Sequence, residues 1–305
     1  MVSATSTDAW SFEPVAGPFD GTMGGVAWNG EAVLFSLVTG MQIKRFDPGS
    51  GKTDTWRKYT GRANGLAVGR DGCVYAAQEG GRRVIQYLPD GSATTTGLRL
   101  DGKIHNHPCD LVLDRRSRIW FADPYSEMLS IGPQIFPRLD HASVLRAHRD
   151  ERNNWTLRRI TFDTAAPRAL LLSADERTLY LAEGDKNTLL RELRAYPVHA
   201  DGSLASCSVL HTFGRDHAGP QRGVEGMALA QDGSVVACAG DRNAGPGPML
   251  YVFSASGQLV AGHPFPADAP VRCAFGGKNL DELYVSSADG HLYRARNVGL
   301  VGHPG

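Results

Sequence analysis

Six similar stretches of this chain open on Gly24, Asn64, Cys109, Arg168, Glu225 and Arg272. Gathered in one place, Arg168 and Arg272 suit an anion, because a guanidinium grips a carboxylate in a bidentate fork. Glu225 beside them would carry a proton. The same three residues also suit an internal Arg–Glu pair that only holds the structure together, with Arg168 folded onto Glu225, and the residue types leave both readings open. Next to Cys109 runs His105-Asn106-His107-Pro108-Cys109-Asp110. His107 or His105 would act as general base on water, since imidazole titrates near neutrality. Cys109 becomes a nucleophile where nearby arginines lower its pKa, and a buried, inert thiol where they do not. A soft metal site from His107, Cys109 and Glu225 is a weaker reading, which Arg168 opposes by charge.

Other polar residues close short apolar runs. Gln78 and Glu79 precede Gly80-Gly81-Arg82-Arg83 and are candidates, with Asn64, for binding substrate, Glu79 also for moving a proton. Asp123 and Glu183 end equivalent runs, and for Asp123 capping a turn through backbone amides is preferred to catalysis. Asp110 reads as bracing a loop. Leu37 stands where the first run would end in an acid, and with Met23 and Met41 it predicts a partly apolar pocket.

The elements that must position these residues are legible as a repeat. GGVAWNGEAVLFSLVTG, NGLAVGRDGCVYAAQEG, CDLVLDRRSRIWFADP, RALLLSADERTLYLAEGD, EGMALAQDGSVVACAGD and RCAFGGKNLDELYVSSADG each give an apolar strand, a turn and a second strand. Their starts are 40, 45, 59, 57 and 47 residues apart, the length of a four-stranded propeller blade. Asn29-Gly30, Asp71-Gly72 and Asp232-Gly233 supply hairpin turns. Third strands follow at Gln42–Phe46, Val84–Tyr87, Leu193–Val198 and Leu250–Phe253, and fourth strands at Thr55–Tyr59, Leu157–Phe162 and Ser208–Phe213. No stretch sustains a 3.6-residue apolar period, so helices should be few. The expected fold is all-β: one six-bladed β-propeller over residues 1–305, its ring closed by Trp10–Val15 pairing with Leu292–Arg296 from the other end of the chain. The first strand of each blade then lines a central channel, which brings the six opening residues to one axis. The interruption from Pro124 to Leu139, with Met128, Ile131, Ile135 and Phe136, reads as a loop over one face.

Composition narrows the classes. The 305 residues are 42% hydrophobic and 21% charged, with 32 basic and 32 acidic side chains. That balance gives no reason to expect nucleic acid or an anionic membrane as partner. No apolar run approaches the ~20 residues that span a bilayer, and Met1–Asp8 lacks the apolar core of a secretion signal. Five cysteines without a CxxC predict neither a disulfide framework nor a zinc ribbon, which points to a cytoplasmic setting.

The phrases NGLAV, RDG, EGGRRV, PDGS, DLVLD, IWFADP, LSADERTLYLAE and LRAYPVHADGSL, in this order, resemble the gluconolactonase branch of the senescence-marker-protein (regucalcin), gluconolactonase and luciferin-regenerating-enzyme family. The resemblance spans nearly the whole chain. It implies a six-bladed propeller, lactone hydrolysis, and a divalent cation (calcium, zinc or manganese) held by Glu, Asn, Asn and Asp at the starts of innermost strands. Those positions fall here on Gly24, Cys109, Arg168 and Glu225, so Glu225 alone keeps a ligand of the implied kind. Two guanidinium groups on one axis would repel a cation. No metal cofactor is therefore expected; calcium, zinc or manganese is the alternative.

The resulting expectation is a lactonase-like hydrolase, independent of metal, acting on a lactone or ester-like small molecule that bears a carboxylate. Arg168 and Arg272 bind the anion or an oxyanion, and Glu225 or His107 moves the proton. Ring opening, elimination or isomerisation in the same pocket, a non-catalytic small-molecule-binding propeller, and a protein-interaction scaffold are the rivals.

Overall fold

The computed structural model describes residues 9–97, 99–132, 136–184 and 191–305. Ile135 of the expected loop and the Met1–Asp8 stretch lie outside them. The chain is a six-bladed β-propeller, and no helix occurs among the described residues. Each blade is a four-stranded antiparallel sheet. The innermost strands are Met23–Trp28, Ala63–Val68, Asp110–Leu113, Pro167–Leu172, Gly226–Leu229 and Pro270–Gly276. They coincide with the openings of the six repeats. Phe12–Ala16 pairs antiparallel with Leu292–Ala295, with Phe12 opposite Ala295, so strands from both ends of the chain close the sixth blade. Phe12–Ala16 is the outermost strand of that blade and ties the two ends of the ring together.

Alternation along the strands explains the packing. Six apolar clusters form, each between two neighbouring blades. Val236, Cys238, Cys273, Phe275 and Val285 fill the space between the fifth and sixth blades. Phe35, Phe46 and Tyr284 join the sixth to the first. Met23 and Leu37 belong to that last cluster, at 1% and 5% exposure, so they build core and do not give the pocket an apolar wall as expected.

The turns work as their residue types predict. Gly30, Gly72 and Gly233 have positive φ of 95°, 73° and 86°. The Asn29 Oδ1 accepts the Ala32 N–H, the Asp71 Oδ1 the Cys73 N–H, and the Asp232 Oδ1 the Ser234 N–H. At Gly65 and Gly226 neighbouring inner strands approach so closely that a side chain is excluded. A Cβ on Gly65 would lie 2.6 Å from the Asp110 Cα, and one on Gly226 would lie 2.6 Å from the Val271 carbonyl oxygen. The Gly65 N–H instead donates to the Cys109 carbonyl of the next blade at 2.9 Å.

Candidate functional site

The six strand openings do converge on one end of the channel, but they divide into two sets. Arg272, 6% exposed, stretches across the axis from the sixth blade. Its Nη1 lies 3.3 Å from the Asp110 Oδ2, and its Nη2 donates to the Cys109 and Arg168 carbonyls at 3.1 and 3.3 Å. Burial weakens its charge, yet Asp110 and then Cys109 and Glu225 hold its pKa above the ordinary arginine value. Asp110 also accepts the Leu170 N–H and so joins the third and fourth blades to the sixth. Asp110 and Arg272 lie in the wall of a 310 Å³ cavity that Val26, Leu66, Leu111, Leu170 and Phe275 line within the channel.

The second set faces a separate 240 Å³ cavity at the rim, lined by Arg168, Glu183, Arg191, Arg222, Glu225 and Asp241 among others. Glu225, with its side chain 27% exposed, is paired by Arg222, Nε to Oε1 at 3.7 Å, and not by Arg168 as expected. Arg222 is itself fixed, because its Nη1 donates to the Gly240 and Pro270 carbonyls. Burial pushes the Glu225 carboxyl up, but the guanidinium groups of Arg222, Arg168, Arg272 and Arg191 outweigh it and hold the pKa below the usual range. Glu79, 9% exposed, behaves oppositely. Burial raises it, and the Asn64 Nδ2 donating to its Oε1 at 2.6 Å and the charges of Arg272, Arg168 and Arg62 offset only part of the rise. Arg168 therefore stands in the field of both carboxylates, while no hydrogen bond or ion pair ties its guanidinium to any described residue. Among the described residues it is a rim cation without a bonded partner.

Other expected site residues are placed elsewhere. Gln78 does not reach the pocket: its Nε2 donates to the Thr60 carbonyl at 2.7 Å and its Oε1 accepts the Arg83 Nε–H. His105 is fully buried, its Nε2 3.0 Å from the Gly97 carbonyl and its ring edge-on to Phe121, so it meets no solvent water. His107 is 5% exposed, and burial with Arg82 and Arg138 nearby lowers its pKa to about 4, leaving it neutral and a poor base. The Cys109 thiol points at the Arg168 carbonyl, 3.3 Å away, and burial raises its pKa far above the thiol value despite Arg272. It carries no thiolate to attack with. Arg222 was missed, although its three-residue spacing from Glu225 places it beside that carboxylate.

A ring of clamps surrounds the site. Gln78, Glu183 and Ser287 stand opposite Ala63, Pro167 and Pro270, the first residues of three inner strands. Each holds the loop that leads into its own inner strand. Glu183 accepts the Ala165 and Ala166 N–H groups, Ser287 donates to the Asp268 carbonyl, and Asp123, one residue past the Ala122–Asp110 pair, accepts the Asn106 N–H at 2.8 Å. The expected loop also crosses the rim: Ile131 donates to the Gly80 carbonyl, and Arg62 to the Leu129 carbonyl.

The four positions where the resemblance places metal ligands do not suit a divalent ion. Gly24 has no side chain to offer, and a Cβ there would lie 2.7 Å from the Asn64 Oδ1 and 2.8 Å from the Val38 Cγ2, the space those side chains now fill. Cys109 is turned away, Arg168 is cationic, and Glu225 is bound by Arg222. Among the described residues no three His, Cys, Asp or Glu side chains gather as a metal site.

A six-bladed propeller with a charged pocket at the mouth of its channel is thus the class that fold and site define. Residues 24–289 match the family described as SMP-30/Gluconolactonase/LRE-like region, and the chain belongs to that family. It is similar to a gluconolactonase of Zymomonas mobilis, 24% identical over 283 residues, which cover 87% of this chain and 75% of that protein. Among solved structures it resembles a gluconolactonase of Xanthomonas campestris with a TM-score of 0.77 at 24% identity, covering 94% of this chain and 89% of that one. A calcium-binding protein, regucalcin, of Agrobacterium tumefaciens gives 0.71 at 14% identity, with 96% of both chains covered. These structural likenesses carry the fold.

Proposed function

We propose that this chain is a lactonase-like hydrolase that opens a carboxylate-bearing lactone or similar ester at the rim pocket, without a metal. The observation that carries the reading is a contrasted pair of carboxylates near a guanidinium without a bonded partner among the described residues: Glu225 is paired with Arg222 and held below the usual carboxylate range, Glu79 is bonded by Asn64 and raised above it by burial, and Arg168 stands in the field of both. Two titratable groups whose surroundings push them apart divide into base and acid. In this scheme ionised Glu225, fixed by Arg222, takes a proton from a water that attacks the lactone carbonyl. Arg168 faces the oxyanion that forms, or the substrate's own carboxylate. Glu79, oriented by Asn64, gives its proton to the departing ring oxygen, and the hydroxy acid is released. The gluconolactonase names of the relatives support the substrate class.

Arg168→Ala tests it. Loss of a donor to a developing oxyanion lowers turnover by roughly 10²- to 10³-fold. If Arg168 holds the substrate carboxylate instead, KM for an acidic lactone rises more than KM for a neutral one. Unchanged kinetics on both substrates would refute the assignment.

A further inference from the structure

Three oxygens from neighbouring blades converge on the channel axis: the Cys109 and Arg168 carbonyls and the Asp110 carboxylate. Two carbonyls and a carboxylate are hard donors, the kind that hold a calcium or manganese ion. Here all three are taken by one side chain of the same chain. Arg272 reaches them from the sixth blade, is almost wholly buried, and keeps its charge against the cost of burial because Asp110 compensates it. We infer that Arg272 is a built-in cation, its guanidinium filling an oxygen-lined axial cradle that would otherwise take a divalent ion. The inference extends the metal-independent part of the proposal above.

The geometry explains several features together. The guanidinium ties the third, fourth and sixth blades through one group, as a bound ion would. Its charge reaches Glu225 and Glu79, so it contributes to the field that keeps the first ionised and limits the rise of the second. Its Nε has no hydrogen-bond partner among the described residues, which leaves one donor free inside the channel. A point charge on a lysine stem would supply the charge but not the fork that spans three acceptors.

The test is metal binding, read apart from activity. Protein purified without chelator is assayed for bound metal, and its thermal unfolding is followed in calcium chloride and in manganese chloride. The wild type is expected to hold no stoichiometric metal and to show no rise in Tm with either salt. Arg272→Ala vacates the cradle, and its Tm is expected to climb with added calcium or manganese, as linkage requires of a ligand that binds the native state. Arg272→Lys keeps the charge and should stay indifferent. Stoichiometric metal in the wild type overturns the inference, as does a folded Ala variant that ignores both ions. Should the Ala variant not fold, the Lys variant decides with the wild type: folded and indifferent supports the inference, and a metal-dependent Tm overturns it. A wild type that binds no metal yet opens no lactone would defeat the proposed function and leave the built-in cation standing.

Discussion

Two rings of polar residues surround the mouth of the channel, and they differ in what their side chains hold. The outer ring, Gln78, Asp123, Glu183 and Ser287, ends the second strands, and each member is bonded to the backbone leading into its own blade. The inner ring begins the first strands, and ion pairs sort its charged members: Arg272 pairs with Asp110, Glu225 with Arg222, and Arg168 with neither. Carboxylates occur in both. In the outer ring a nearby N–H group converts a carboxylate into a clamp, whereas in the inner ring Asp110 and Glu225 are each paired with a guanidinium. Glu79 sits one residue beyond Gln78, and that single step turns it from the clamp ring toward Asn64 at the start of an inner strand.

The largest effect that tests this contrast is on catalysis. Glu225→Gln removes the base and keeps the shape, and turnover should fall by roughly 10²- to 10⁴-fold, the usual share of general base catalysis. Its unfolding temperature should stay near that of the wild type, because Glu225 clamps no loop. An inactive variant with a collapsed Tm would move Glu225 into the structural ring.

A smaller effect belongs to the outer ring and is read in stability. Burial raises the Asp123 carboxyl to about 7 from 3.8, so its contribution is full below 3.8 and lost as pH rises through about 7. Burial lowers His105 and His107 to about 4 from 6.5, so theirs is full above 6.5 and lost as pH falls through about 4. Between pH 6.5 and 4 the carboxyl opposes the two imidazoles. Asp123→Asn removes that opposition and can still accept the Asn106 N–H. Its stability should fall more steeply on acidification than that of the wild type, by about 1.4 kcal/mol per pH unit at most. Chemical denaturation across this range checks it, and parallel curves for the two proteins would show that Asp123 does not titrate there.

Much of the architecture was legible because it is written locally and repeated. Strand alternation, Asn-Gly and Asp-Gly turns and six openings at blade spacing are short-range signals, and the closing strand at Phe12–Ala16 fell within a residue or two of its expected place. The site was half legible. The repeat brought Arg168, Glu225 and Arg272 to one axis, but not which partner each would choose. Arg272 found its carboxylate at Asp110, 162 positions away, and Glu225 found Arg222 three residues before it. Pairing across a closed ring depends on the rise of one blade against the next, which no short-range pattern records. The histidines misled for a related reason: His105 and His107 enter the blade at the rim in sequence, yet both are buried, His105 edge-on to Phe121.

The pH dependence of kcat for hydrolysis of an acidic lactone, wild type against Glu79→Gln, tests the division of labour most directly. The account predicts a bell for the wild type, its acid limb set by protonation of Glu225 below the usual carboxylate range. Its alkaline limb is set by ionisation of Glu79 above that range. In Glu79→Gln the acid limb should remain, the alkaline limb should vanish, and the plateau should drop. An alkaline limb that survives unchanged in the variant would contradict the assignment of Glu79 as the acid, and with it the opposed pair on which the account rests.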